Sequence, residues 1–230
     1  MSGPLLDLSL TSAFVDGSGK MVTSNRGSLL GTCQCGDGVT PATFPTLLGG
    51  GRRGMSFNGI GASNQRLVCA SQGQVLGAGD MSVVFTSIQR TAGDSGWAQI
   101  ITNAVAAGFV CSLFYDGANH HIYTSSNALA TILDTPFDAY MRQLTTVAVV
   151  RPAVGNTLVY VNGNLVTSGN SGAVQVGDAN LTIGTYPDPG IAARPMNADL
   201  FSCRAYVGAL LTPTEIRALG DRDRATLNLF

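Results

Sequence analysis

The amino-acid sequence predicts an all-β protein, a sandwich of two antiparallel sheets followed by one short C-terminal helix. Short apolar runs recur along the chain and are separated by Gly, Asn and Asp, which is typical of strands and turns. Glutamate and lysine usually cover exposed helices, yet each occurs once, as Glu215 and Lys20. No linker or repeat interrupts the 230 residues. We therefore expect a single domain over residues 1–230, with residues 220–230 as a tail.

Two hairpins give the sharpest local signals. Phe109–Tyr115 has alternating polarity, and Asp116-Gly117 predicts a two-residue turn into Ala118–Tyr123. In the second hairpin, Asn162-Gly163 accommodates the positive φ angles of a type I′ turn. Its strands, and the other strands that we predict, are Thr157–Val161, Asn164–Thr167, Leu5–Leu10, Met55–Asn58, Arg66–Ala70, Met81–Gln89, Leu144–Arg151, Leu181–Gly184 and Leu200–Val207. Residues 25–54 are predicted to be irregular.

The helix is predicted from its capping residues. Thr212 supplies a hydroxyl N-cap, Pro213 suits the first helical position, and Glu215 is placed to complete a capping box. Gly220 is predicted to end the helix. The tail that follows is first charged and then apolar, so it either packs on the sandwich or contacts a neighbouring molecule.

Composition excludes several classes of partner. Charged residues make up 12% of the chain, and the formal net charge is −1. Because the arginines are scattered, no basic patch for nucleic acid is expected. No apolar run is long enough to enter a membrane. The first ten residues lack a basic segment, so we expect no signal peptide and synthesis in a cytoplasm.

The cysteines favour neither a disulfide framework nor a zinc site. They are odd in number, with no CxxC pair: Cys33, Cys35, Cys69, Cys111 and Cys203. Cys33 and Cys35 would point the same way in a strand, which leaves a metal or redox role open. Buried reduced thiols are the favoured interpretation.

Six fragments, in order along the chain, resemble segments of the concanavalin A-like lectin/glucanase superfamily, in particular its laminin-G-like and pentraxin-like modules. The most specific is Thr146–Arg151 followed by Leu158–Gly163, which is similar to the family's Val-Ala strand and Leu-Tyr-Val-Asp/Asn-Gly hairpin. The others are Leu6-Asp7-Leu8 with Asp16-Gly17-Ser18-Gly19, Gly54–Gly59, Asp80–Phe85, Leu181–Gly184 and Leu210–Ile216. The resemblance covers nearly the whole chain and implies a jelly-roll sandwich.

The chain departs from the family's metal pattern. Many members carry paired carboxylates in the strand before the C-terminal helix, where this chain has Phe201-Ser202-Cys203. The usual histidine before the Val-Ala strand is replaced by Leu144-Thr145. Calcium needs converging oxygens, including carboxylates. We therefore expect no cofactor, and a structural calcium ion has no support from the sequence.

The glycoside hydrolases of this superfamily need a pair of carboxylates about 5 Å apart. The single glutamate, Glu215, is already assigned to the capping box, and Asp134 and Asp138 are predicted to lie on a loop. Glycosidase activity is therefore the least favoured alternative. His120 and His121 are adjacent on a predicted strand, so their side chains should point to opposite faces and form a poor chelating pair.

The candidate ligand-binding residues are Trp97, Asp116, Asn119 and His120, which lie on or next to predicted loops. Trp97 could stack on a sugar ring or anchor a protein partner, although core packing is at least as compatible. No catalytic residue and no metal ligand is predicted.

The sequence therefore favours a non-catalytic structural or adhesive module over an enzyme. A virion surface protein is the leading hypothesis, such as a bacteriophage capsid decoration or head/tail accessory protein. It would bind other virion proteins, such as the major capsid protein, as a homo-oligomer or array. The alternative is a lectin-like module that binds a cell-surface glycan.

Overall fold

The computed structural model describes residues 3–8, 10, 12–29, 31–49, 53–70, 76, 79–92, 96–103, 108–127, 129–173, 175, 180–185 and 194–227. Within these residues the chain forms two antiparallel sheets and one α-helix, which confirms the predicted β-sandwich. That residues 1–230 form a single domain stays a prediction.

Sheet 1 has the order β15-β14-β13-β8-β17-β6-β5, and β1 also pairs with β17. Its strands are β1 (Leu6–Leu8), β5 (Thr46–Leu47), β6 (Met55–Asn58), β8 (Met81–Thr91), β13 (Leu144–Arg151), β14 (Thr157–Val161), β15 (Asn164–Gly169) and β17 (Asn197–Val207).

Sheet 2 has the order β12-β11-β10-β9-β16-β7-β4-β3-β2. Its strands are β2 (Phe14–Val15), β3 (Met21–Ser24), β4 (Thr32–Cys35), β7 (Leu67–Cys69), β9 (Trp97–Thr102), β10 (Val110–Tyr115), β11 (His120–Ser125), β12 (Leu133–Pro136) and β16 (Leu181–Ile183).

The two sheets enclose one apolar core. Alternate residues of facing strands fill it, including Phe57, Phe85, Leu113, Ile122 and Val149, all fully buried. This alternation is the period of two that the sequence shows in its strands. Burying these side chains stabilises the fold by roughly 1.5 to 3 kcal/mol for each large residue.

The second predicted hairpin is confirmed, whereas the first has the predicted strands but a longer turn. Asn162 and Gly163 both have positive φ angles, +52° and +77°, as a type I′ turn requires. The first hairpin is wrong in its turn, because four residues, Asp116 to Asn119, separate β10 from β11. Asp116 accepts hydrogen bonds from two N–H groups of this loop, which stabilises the longer connection.

The region predicted to be irregular, residues 25–54, contains regular structure. β4 and β5 lie within it, as does a 3-10 turn at Pro41–Thr43. The predicted loop around Pro136 is also a strand, β12, which forms an edge of sheet 2. These strands are short and lie at or near sheet edges, so they lack the long apolar alternation that marks a central strand.

The capping box is confirmed, but the predicted end of the helix is wrong. Thr212 accepts from the Glu215 N–H at 3.3 Å, and the Glu215 carboxylate accepts from the Thr212 N–H at 2.7 Å. Helix α1 then continues from Pro213 to Thr226. Gly220 lies inside it and is buried against β13. A Cβ at this position would stand 2.6 Å from Thr146 Oγ1, which is too close for a side chain. Close approach to the sheet explains this glycine, and residues 220–226 are not a tail.

A buried ion pair attaches the helix to sheet 1. Arg204 of β17 donates to both carboxylate oxygens of Asp223, at 2.8 and 2.6 Å. Ser202 and Thr86 donate to the same carboxylate. Burial raises the pKa of Asp223, but the hydrogen bonds and charge of Arg204, with those hydroxyls, outweigh it and hold the pKa below its ordinary value. The carboxylate is therefore charged at neutral pH.

The expectation of reduced cysteines is wrong for two of the five. Cys33 and Cys69 form a disulfide between β4 and β7, where they are opposite one another in the register. Cys35, Cys111 and Cys203 are free and buried, and burial raises the pKa values of their thiols to about 11 or 12. The odd number of cysteines did not indicate this disulfide, because spacing along the sequence does not show which strands become neighbours.

None of the helices in the described part of the chain has the length and apolar character that a membrane crossing requires.

We predict that Gly220→Ala destabilises the protein. Alanine favours a helix by about 1 kcal/mol, whereas the added methyl group meets a fixed β-strand and costs about 1 to 3 kcal/mol. Chemical denaturation should show a net loss of about 1 kcal/mol, the difference between the middle of that cost and the gain in helix propensity. Gly17→Ala is the control, because nothing lies within 4 Å of its Cβ position. A Gly220→Ala variant as stable as the control would contradict the packing argument.

We predict that the double substitution Cys33→Ser/Cys69→Ser destabilises the protein. The disulfide closes a loop of 36 residues, for which the chain-entropy model gives roughly 4 kcal/mol. Unfolding measured with and without reductant provides the check. Reductant should lower the stability of the wild type and leave the double variant unchanged; an equal response of both would show that no disulfide forms.

Candidate functional site

One end of sheet 2 carries a row of side chains that crosses four strands. Trp97, Phe114, His121 and Pro136 are successive neighbours across β9, β10, β11 and β12. The adjacent row contains Leu113, which lies in the core between the sheets. Because side chains alternate along a strand, the row that begins with Trp97 lies on the outer face.

Aromatic rings cluster on this outer face. The Trp97 ring lies 4.4 Å from Phe114 and 5.4 Å from Tyr123, and Phe114 and Tyr123 stack at 4.8 Å. The guanidinium of Arg194 lies 4.7 Å above the Trp97 ring. Trp97 is therefore half-buried by packing on the outer face and takes no part in the central core.

His121 links two carboxylates beside these rings. Its Nδ1 lies 2.8 Å from Asp134 and its Nε2 lies 3.3 Å from Asp116. Asp116 also accepts from the N–H groups of Asn119 and Ala118, which hold the pKa of that carboxyl below its ordinary value, with a smaller contribution from His121. The carboxylate is thus held at the turn of the β10–β11 hairpin.

His120 bonds to a different carboxylate from its neighbour, as expected for adjacent residues of a strand. Its Nδ1 lies 2.7 Å from Asp138 Oδ1, and its N–H donates to the same oxygen at 2.9 Å. These two bonds, the side-chain one first, lower the pKa of Asp138. The ring of Tyr115, which is 40% exposed, lies 4.8 Å from the His120 imidazole.

A cleft of about 500 Å³ opens next to His120. It lies where the edge strands β12 and β15 of the two sheets meet, beside the 3-10 turn Asp138–Tyr140. It is lined by Asn119, His120, His121, Pro136, Asp138, Ala139, Tyr140 and Val166. Its volume lies within the ordinary range of small-ligand sites, roughly 300 to 1,000 Å³.

The structure brings three of the four predicted site residues to this end of sheet 2 as neighbours. Asn119 and His120 line the cleft, and Asp116 lies at the same turn. Trp97 lies two strands away under Arg194 and does not line the cleft. Whether any of these residues binds a ligand stays a prediction.

Sequence reasoning missed Asp138 and Tyr140 as residues of the cleft. It assigned Asp138 to a loop, as half of a possible carboxylate pair, and gave Tyr140 no role. No local pattern identifies them, because Asp138 meets His120 across 18 residues of sequence and Val166 comes from the other sheet.

Among the residues that the structure describes, no group of three or more His, Cys, Asp or Glu side chains is arranged to hold a metal ion.

Comparisons with protein-family models and with curated proteins find no match. Among solved structures, the chain is similar in fold to botulinum neurotoxin binding domains. One is of botulinum neurotoxin type C, whose cell entry depends upon two ganglioside molecules (TM-score 0.68, 13% identity, 96% of this chain and 51% of that chain).

Another is the binding domain of botulinum neurotoxin DC in complex with rat synaptotagmin II (TM-score 0.67, 11% identity, 96% and 52%). A third is the binding domain of serotype D (TM-score 0.61, 14% identity, 96% and 52%). This chain spans about half the length of these structures, and the likeness shows the fold alone. The bacteriophage origin and the assignment to the concanavalin A-like superfamily stay predictions.

We predict that His120→Ala raises the pKa of Asp138 towards its ordinary value. The variant loses the imidazole hydrogen bond and keeps the backbone one, so the return should be partial. Carboxyl chemical shifts followed by NMR from pH 7 to pH 2 measure it. Asp16, whose pKa is lowered by its own turn, serves as an internal control and should not move. An unchanged Asp138 titration would show that the imidazole bond is absent in solution.

Proposed function

We propose that this chain is a non-catalytic, glycan-binding β-sandwich and that the cleft beside His120 holds a sugar. The observation that carries the proposal is the convergence of Asn119, His120 and Asp138 on one open cleft, with the ring of Tyr140 in its wall. Sugars present hydroxyl edges and apolar C–H faces, so they suit a site that combines polar groups with aromatic rings.

The polar groups offer both donors and acceptors. The Asn119 amide can donate and accept, and the Asp138 carboxylate can accept more than the two bonds that it receives from His120. In the described residues, His120 Nε2 has no hydrogen-bond partner, while Nδ1 is held by Asp138. The imidazole is thereby oriented with Nε2 available for a sugar hydroxyl.

The electrostatics support binding without catalysis. A glycosidase needs one carboxylic acid with a raised pKa to protonate the leaving group. At this site the pKa values of Asp116 and Asp138 are both lowered by hydrogen bonds. The single glutamate, Glu215, caps α1 and bonds to Thr212.

The fold comparison supports the same class of function. The structures to which this chain is similar are binding domains, one from a toxin that interacts with gangliosides and another bound to a protein. A glycan partner for this chain is therefore consistent with its fold. The placement on a virion surface, with capsid proteins as partners, stays a prediction from the sequence; imaging of purified particles tests it.

The experiment is a glycan array followed by titration of the best ligand. We expect saturable binding that His120→Ala and Tyr140→Ala each weaken by about tenfold, the effect of losing one or two ligand contacts. Phe14→Ala is the matched control for Tyr140, because Phe14 is an aromatic residue with an exposed ring, on β2 at the far edge of sheet 2. It should bind like the wild type.

The variant Trp97→Ala distinguishes ligand binding at the cleft from ligand binding at the aromatic cluster on the outer face. The cleft hypothesis expects little change in affinity. Loss of binding in Trp97→Ala with retention in His120→Ala would move the site to the outer face. No binding to any neutral or anionic glycan would overturn the proposed function.

A further inference from the structure

A gap between two strands of sheet 1 forms a second site candidate, beside β17, which lies four strands away from the edge strand β15 that borders the cleft. The strand β17 pairs on one edge with β6 through Asn197–Leu200 and with β1 through Cys203–Ala205. In the described residues, no strand lies beside Phe201 and Ser202, which come between these pairings on that edge. A cavity of about 240 Å³ occupies the gap, bounded on its outer side by the end of α1.

Four arginines line this cavity, which we call the arginine notch: Arg26, Arg53, Arg204 and Arg222. The chain has 13 cationic side chains in all, so nearly a third of them meet at one small cavity. Among the residues that the structure describes, the acidic ones of the wall are Asp7 and Asp223. These described residues bring four positive charges and two negative ones, a surplus of two.

The two aspartates are already engaged with one arginine. Arg204 binds both oxygens of Asp223, and its Nε lies 3.2 Å from Asp7 Oδ1. Arg204 is therefore neutralised within the wall of the cavity. In the described part of the chain, the other three arginines form no ion pair, and all three are exposed at the rim.

The three rim arginines give this concave site a positive charge that an anion can neutralise. In the described wall, no further acidic residue offsets them. The carbonyl groups at the C-terminal end of α1 oppose an anion, but three guanidinium groups outweigh that partial charge. A guanidinium group donates two parallel hydrogen bonds, a geometry that matches the oxygens of phosphate, sulfate and carboxylate.

The size of the cavity limits which ligands it can hold. A volume of about 240 Å³ is below the usual range for drug-sized ligands, roughly 300 to 1,000 Å³. It fits a single tetrahedral oxyanion with the first atoms of an attached group. The surplus of two positive charges matches the two negative charges of such an ion.

We propose that the arginine notch binds one tetrahedral oxyanion, phosphate or sulfate, either as the free ion or as the terminal ester of a sugar. Arg26, Arg53 and Arg222 contact the anion, while Arg204 is a positioning residue held by Asp223 and Asp7. The site is on sheet 1 and shares no lining residue with the cleft. A failure of glycan binding at the cleft therefore leaves this proposal standing.

The test is calorimetric titration of the full chain with inorganic phosphate, sulfate and glucose 6-phosphate, at constant ionic strength in chloride. Glucose is the neutral control. We expect saturable one-to-one binding of at least one anion and none of glucose. Equal affinity for phosphate and glucose 6-phosphate identifies the free ion as sufficient, and tighter binding of the ester identifies a phosphorylated sugar. No saturable binding of any of the three anions overturns the proposal.

The variant Arg53→Gln/Arg222→Gln locates the site. Each substitution removes a charge-assisted hydrogen-bond donor, so affinity should fall by at least about tenfold. Arg217→Gln is the matched control, because Arg217 is an exposed arginine of the same helix that does not line the notch. It should bind like the wild type.

Melting temperatures in chloride verify that each variant is folded, and the rise in melting temperature on adding phosphate gives a second measure of binding. Binding that the double variant retains in full would also overturn the proposal.

Discussion

The buried ion pair between Arg204 and Asp223 is the constraint on which the outer layer of this protein depends. Taking two charges out of water is costly unless their geometry is good and their remaining hydrogen bonds are satisfied. Here a bidentate contact and two hydroxyl donors, Ser202 and Thr86, meet that condition for the carboxylate. Within the described residues, Arg204 Nε makes no hydrogen bond and lies 3.2 Å from Asp7 Oδ1 as an ion pair. The pair fixes the angular position of α1, because Asp223 can reach Arg204 only from one face of the helix.

Once that position is fixed, the packing of the helix follows. A second apolar cluster forms between α1 and the outer face of sheet 1, and Ile216 of the helix lies in it with Val84, Ala148 and Val150. The close approach leaves no room for a side chain at Gly220. Helix and sheet thus interlock through one charged contact, one apolar cluster and one glycine.

The docking of α1 on sheet 1 makes the outer surfaces of the two sheets different. The helix packs on β8 and β13 of sheet 1. The arginine notch lies at the edge of β17, between its pairings with β6 and β1. Sheet 2 has no helix over its outer face in the described residues, so its aromatic and histidine side chains face outward. The cleft lies at the edge where the two sheets meet, and polar groups there can contact a ligand without disturbing the core.

The sequence by itself determined the all-β class, the Asn162-Gly163 hairpin and the start of α1, because alternation, turn chemistry and capping act over a few residues. It also brought Asp116, Asn119 and His120 forward as neighbours along the chain. The disulfide, the partner of Asp223 and the contact of His120 with Asp138 join residues 18 to 36 positions apart. Strand order and helix docking decide such contacts, because they set which distant segments meet, and no local pattern records that choice.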